Sequence, residues 1–132
     1  MKFIGFITEH DLIEEAKTFQ EYLTQGQKEE SLMRQLINHL ENGAIVLSWL
    51  GYSFDVVDNA LIAPNAYYTD GTFVWPGYLS YYLSKYPTFN LDKEIINQVL
   101  TYERTLQAIN SSRLAGIEMK LAKKLTDGCE GY

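Results

Sequence analysis

Two histidines, one cysteine and two pairs of neighbouring acids are the groups in this 132-residue chain best suited to acid–base, nucleophilic or metal chemistry. His10 stands in Glu9-His10-Asp11 at a predicted helix start. Three adjacent side chains diverge on a helix and make a poor metal cage; two histidines at i and i+4 would make a better one. His39 lies beside the apolar stripe of a second predicted helix. Each histidine reads as a surface or boundary residue. Cys129 sits in Gly128-Cys129-Glu130-Gly131 at the C-terminal end. A nucleophilic thiolate needs an oriented base and an electropositive setting, and a fraying terminus offers neither. Asp55 with Asp58, and Glu14 with Glu15, could share acid–base work if a cleft held them at a fixed separation. Their placement in a loop and on an exposed helix face reads as solvated surface. The chain has no Gly-rich phosphate loop and no G-x-S-x-G elbow. The sequence therefore predicts no catalytic residue, no metal and no cofactor, and the chain reads as a non-enzyme.

The aromatic residues stand out more. Tyr67, Tyr68, Phe73, Trp75, Tyr78, Tyr81, Tyr82, Tyr86 and Phe89 put nine aromatics into 23 residues. On a helix, Tyr78, Tyr81 and Tyr82 cannot all share the stripe of Leu79, Leu83 and Tyr86. Some of these rings wall the core with hydroxyls turned to water. Others are suited to a binding patch, because tyrosine and tryptophan bury much area at little entropic cost.

The elements that must position these side chains follow from periodicity. Phe3, Ile4, Phe6 and Ile7 suit a short buried strand. Thr8 as N-cap, then Leu12, Ala16, Phe19 and Leu23 on one face, predict a helix over 9–24. Leu32, Leu36 and Leu40 predict a second over 29–41, stopped by Asn42-Gly43. Residues 44–50, 54–57, 60–63, 66–69 and 72–75 are β-prone. Asp58-Asn59 and Asp70-Gly71 supply turns, so 44–75 reads as an antiparallel meander. Pro76 as N1 and the stripe from Leu79 to Tyr86 predict a helix over 76–86, ended by Pro87. Residues 92–126 are helical in pattern, as one helix or as two broken near Ser111-Ser112 or Gly116. The expected fold is α+β: an antiparallel β-meander covered by amphipathic helices from both ends of the chain, with the N-terminal strand a candidate to join the sheet.

Length and composition suit one domain over 1–132, made of a strand and two helices (1–42), the meander (43–75) and a helical part (76–126). Seventeen acids against eleven bases give a net charge of −6. The first seventy residues hold eleven acids and four bases; the rest hold six and seven. That balance disfavours nucleic acid and anionic membranes and permits a basic protein partner. A lone cysteine, no signal peptide and no apolar run near the roughly 20 residues of a membrane span point to the cytoplasm.

The run from Tyr67 to Pro87, with Thr69-Asp70-Gly71, Trp75-Pro76, Leu79, Tyr81-Tyr82 and Lys85-Tyr86, resembles a T-D-G-x-aromatic-x-W-P-x-x-L-x-Y-Y-x-x-K-Y signature of small, largely uncharacterised bacterial proteins. Some of these resemble immunity proteins of polymorphic-toxin and contact-dependent inhibition systems. Leu50-Gly51-Tyr52 and Ile62-Ala63-Pro64 fit the same pattern, and the resemblance spans about residues 43–100. It implies an immunity-type protein that binds and neutralises a basic toxin domain, and it implies no catalytic residue.

On that reading Asp55, Asp58 and Asp70 are candidate steering charges. Tyr67, Tyr78, Tyr81 and Tyr82 are candidate anchors. A second reading is a small enzyme or ligand-binding domain with an aromatic-lined pocket, in which Glu9, His10, Asp55 and Tyr82 would converge. A third is a homodimer formed through the aromatic patch.

Overall fold

A computed structural model describes residues 2–24, 26, 29–101 and 111–129. Its elements are β1 (Lys2–Phe3), α1 (Phe19–Tyr22), α2 (Glu30–Glu41), β2 (Ala44–Phe54), β3 (Leu61–Thr69), β4 (Phe73–Pro76), α3 (Leu79–Lys85), α4 (Lys93–Thr101) and α5 (Ser111–Cys129). The fold is α+β. The strands form one sheet in the order β1-β4-β3-β2. β2, β3 and β4 are the antiparallel meander, and β1 adds parallel to β4, which makes the sheet mixed.

The pleat of β4 sorts the core into two layers. Phe73 and Trp75 point to one face, where they pack with Leu36 and Leu40 of α2, Leu83 of α3 and Val99 of α4. Val74 points to the other, where it meets Tyr67 and Val46 beneath Ile117, Leu121 and Leu125 of α5. Helices from both ends of the chain thus sandwich the sheet. Among the described residues no helix is long and apolar enough to cross a membrane.

Four local expectations change. The helix over 9–24 contracts to the single turn α1. Thr18, not Thr8, is the N-cap: its Oγ1 accepts from Glu21 N while Glu21 Oε1 accepts from Thr18 N, a complete capping box. Residues 8–17 instead loop back onto Phe6, with Lys17 N donating to Phe6 O and Thr8 N donating to Lys17 O. Pro76 closes β4, and α3 begins at Leu79. Gly116 lies within α5 rather than breaking it. Gly51, expected to end a strand, instead carries β2 onward at φ +105. Whether 92–126 is one helix or two turns on residues 102–110, which lie outside the described residues, as does the Cys129 side chain.

β2 is an irregular strand. Its register against β3 shifts between Ile45 and Leu47, between Ser48 and Tyr52, and again between Ser53 and Phe54. The central shift places Trp49, Leu50 and Gly51 opposite a shorter stretch of β3, and so forms a bulge.

Candidate functional site

A cleft of about 510 Å³ opens between the 9–11 loop and the outer half of the β2–β3 hairpin. Glu9, His10 and Asp11 form one wall, Trp49 and Tyr52 the other, and Tyr67 and Tyr78 close the floor. The loop replaces the expected helix, and that replacement lets three consecutive polar side chains face one cavity. Local hydrogen bonds fix it: His10 N and Asp11 N both donate to Ile7 O. Glu9 is held by its carboxylate, which accepts from Phe19 N at 3.0 Å and so caps α1.

Asp11 is held from below. Its Oδ1 accepts from the Tyr67 hydroxyl at 2.5 Å and its Oδ2 from the Tyr78 hydroxyl at 2.8 Å. Tyr78 in turn accepts from Ile7 N at 3.0 Å. Burial raises the Asp11 carboxyl above the ordinary carboxylate range, although both phenols and His10 favour its charge. His10 packs on the Tyr78 ring at 4.3 Å and its Nε2 lies 2.7 Å from the Tyr82 hydroxyl. Burial lowers its pKa against the pull of Asp11, Glu9 and Asp55.

A second polar knot ties the hairpin turn to α3. Asp55 accepts from the hydroxyls of Tyr81 at 2.8 Å and Tyr86 at 2.7 Å, from Lys85 Nζ at 2.9 Å and from Val57 N at 2.8 Å. Burial alone would raise its pKa; the bonds from Tyr86, Val57, Lys85 and Tyr81 outweigh that and hold it well below the usual range. Lys85 also reaches Asp58 at 2.5 Å, and its pKa rises through Asp58, Tyr81 and Asp55. Burial and the bond to Asp55 push the Tyr86 hydroxyl up to about 12.

The sequence-predicted residues therefore separate into three places. Asp55, Asp58 and Tyr81 meet in the knot. Tyr67, Tyr78 and Tyr82 meet beneath the cleft. Asp70 stands apart, at the β3–β4 turn, where its Oδ1 accepts from Thr72 N and Phe73 N and its Oδ2 bonds His39 at 2.7 Å. Two structural facts bear on the expected steering charges and anchors. Asp55 is buried and Asp70 nearly so, and both are committed to internal donors; Asp58 is the exposed one of the three and is paired with Lys85. Tyr67, Tyr78 and Tyr82 are core rings whose surface is already spent inside the chain, which leaves Tyr81 half-buried. Of the pocket residues Glu9, His10, Asp55 and Tyr82, the first three line the cleft and Tyr82 backs it.

The exposed apolar surface lies elsewhere than expected. Trp49 is 46% exposed, Leu50 99%, Tyr52 57% and Phe54 46%, followed by Val57 and Leu61 across the turn. Periodicity missed these residues because a strand ending at Gly51 would have buried Trp49. The signal that could have found them is Leu50-Gly51: glycine inside a β-prone stretch marks a bulge. Asn65 braces that bulge from β3, accepting from Ser53 Oγ at 2.9 Å. Asp11 and Lys85 were missed too, since only the fold brings them to the tyrosines.

Among the described residues no group of three or more His, Cys, Asp and Glu side chains could hold a metal ion. Comparisons with models of protein families, with curated proteins and with solved structures found no match for this chain.

Proposed function

We propose that this chain is an immunity-type binding protein that acts in the cytoplasm, docking the outer half of its β2–β3 hairpin on a basic toxin domain and neutralising it by occupancy. One observation carries the reading: large apolar side chains crowd the exposed hairpin from Trp49 to Leu61, with Leu50 almost wholly in solvent. Single exposed apolar residues are ordinary, but a contiguous group on one projecting element marks an interaction surface. The bulge favours contact by side chains over strand addition, because it breaks the edge hydrogen-bond ladder that another strand would need. The acidic first half of the chain favours a partner of opposite sign.

The test is affinity capture of the tagged chain from its own organism's lysate at low and high salt, beside a Trp49→Ala/Leu50→Ser variant. The expected result is a near-stoichiometric basic protein, held by the parent chain, lost at high salt and lost from the variant. Co-expression should then rescue cells from that protein's toxicity. Equal capture by the variant, or a captured protein with no toxicity to rescue, overturns the proposal.

A further inference from the structure

The outer hairpin and the cleft beside it are continuous, since Trp49 belongs to both. We propose that the cleft takes a single cationic side chain of the docked protein, an arginine by preference, held between the Glu9 and Asp11 carboxylates and stacked against Trp49 and Tyr52. This rests on the protein-binding reading above and names the chemistry that the partner must bring.

Charge complementarity sets the occupant. Glu9, Asp11 and Asp55 line the cleft, and among its described lining residues there is no lysine or arginine. The three carboxylates are not equivalent. Asp55 is saturated by Tyr81, Tyr86, Val57 N and Lys85 on its far side. Asp11 has one phenol on each oxygen. A carboxylate oxygen has room for a second donor, so Asp11 can still accept from a guanidinium fork. Glu9, bonded only to Phe19 N among the described residues, has more room still. Burial lowers the His10 pKa, which disfavours a competing positive charge there.

The aromatic wall favours arginine over lysine. A guanidinium is planar and weakly hydrated and stacks on indole and phenol faces, whereas an ammonium holds its water more tightly. Trp49 stands edge-on to Tyr67 at 5.7 Å between ring centres, which fixes the indole at the mouth of the cleft. A second depression of about 560 Å³ shares Glu9, His10, Asp11 and Trp49 and leads toward Leu125 of α5. The backbone that carries the arginine has that path by which to leave.

The experiment uses the whole chain and small capped amino acids. N-acetyl-arginine amide is titrated in and followed by Trp49 fluorescence and amide NMR shifts; Trp75 is fully buried and serves as the silent reference. N-acetyl-lysine amide and the isosteric, uncharged N-acetyl-citrulline amide are the controls. The expected result is saturable binding with shifts at Glu9, His10, Asp11 and Trp49, at least tenfold weaker for citrulline, weaker for lysine and weakened again by Glu9→Gln. Equal response to arginine and citrulline, or shifts confined to other residues, overturns the proposal. Failure here with an intact, hairpin-dependent partner complex leaves the binding function standing and removes only the arginine site. Arginine binding with no partner captured does the reverse.

Discussion

The Tyr82 hydroxyl lies 2.7 Å from His10 Nε2 and at the same time accepts from Val56 N at 3.1 Å. An oxygen that already takes the amide proton is best placed to give its own proton to Nε2. That arrangement matches a neutral imidazole with its hydrogen on Nδ1, in agreement with the lowered pKa of this part-buried ring. One phenol thus ties the 9–11 loop, the β2–β3 turn and α3 together.

Tyr82→Phe removes that tie without opening a cavity. It removes the partner of the part-buried Val56 amide and of the part-buried His10 Nε2. A loss of about 1–2 kcal/mol in all is expected, since both groups are part-buried. Urea unfolding of the variant beside the parent chain measures it; a change below about 0.5 kcal/mol would mean that water replaces the phenol.

The pH dependence has a definite sign. His10 in the folded chain has a pKa below 6.5, so as pH falls through 6.5 the unfolded state takes up a proton that the folded state refuses. Stability falls in that window. Asp11 acts oppositely: its folded pKa lies above 3.8, so its share of stability is present at low pH and is lost as pH rises through that raised value. The urea midpoint of the parent chain should therefore drop just below pH 6.5. In His10→Gln that particular drop should be absent.

Asp55→Asn tests the knot at the hairpin turn. The carboxylate is buried and accepts from two phenols, an ammonium and an amide. An amide of the same shape loses the charge and one acceptor, at an expected cost of about 2–4 kcal/mol. Lys85→Met should cost less, about 1 kcal/mol, because Lys85 is partly solvated. Asp55 has a folded pKa below 3.8, so the stability it supplies is present above that value and is lost as pH falls from there through the folded pKa. Acid unfolding of the parent chain should show that loss, and the asparagine variant should not.

Gly5→Ala should be costly for two independent reasons. Gly5 has φ +71, which side chains with a Cβ rarely adopt, and a Cβ there would overlap the fully buried Leu79 side chain. Together these are expected to cost about 2–4 kcal/mol. Thermal unfolding measures it.

Leu50→Ser should do nothing to the fold. A side chain 99% exposed has little packing to lose, so stability should hold within about 0.5 kcal/mol. Partner affinity should fall by about 2 kcal/mol if Leu50 is an anchor. Calorimetry on the captured complex and unfolding of the free chain separate the two effects.

The sequence and the fold agree where a strong period or a turn residue decides the matter. α2 follows its leucine stripe within a residue, and Asp70-Gly71 joins β3 to β4. They part where tertiary hydrogen bonds override a period. The apolar spacing of Leu12, Ala16, Phe19 and Leu23 is a fair helical stripe. Yet Glu9 caps α1 and Asp11 anchors Tyr67 and Tyr78, and neither bond could form from a continuous helix. The tyrosines were visible as a group, but which of them face inward was not. A phenol that finds a buried carboxylate or imidazole goes inside, and those partners lie far away in sequence. Glu9, His10, Asp55 and Tyr82 could be named from residue type alone; that they gather at one cleft comes from the fold.

The bulge at Trp49-Leu50-Gly51 also divides β2 by mutational tolerance. Before it, Val46 is buried beneath α5 with Leu47 packed partly buried against the same cluster, and a substitution there disturbs the core. At the bulge and beyond it, Leu50, Tyr52 and Phe54 are largely exposed, so substitutions there leave the scaffold folded. Under the binding function proposed above, that division lets the residues that meet a partner diversify while those that keep the molecule intact stay unchanged.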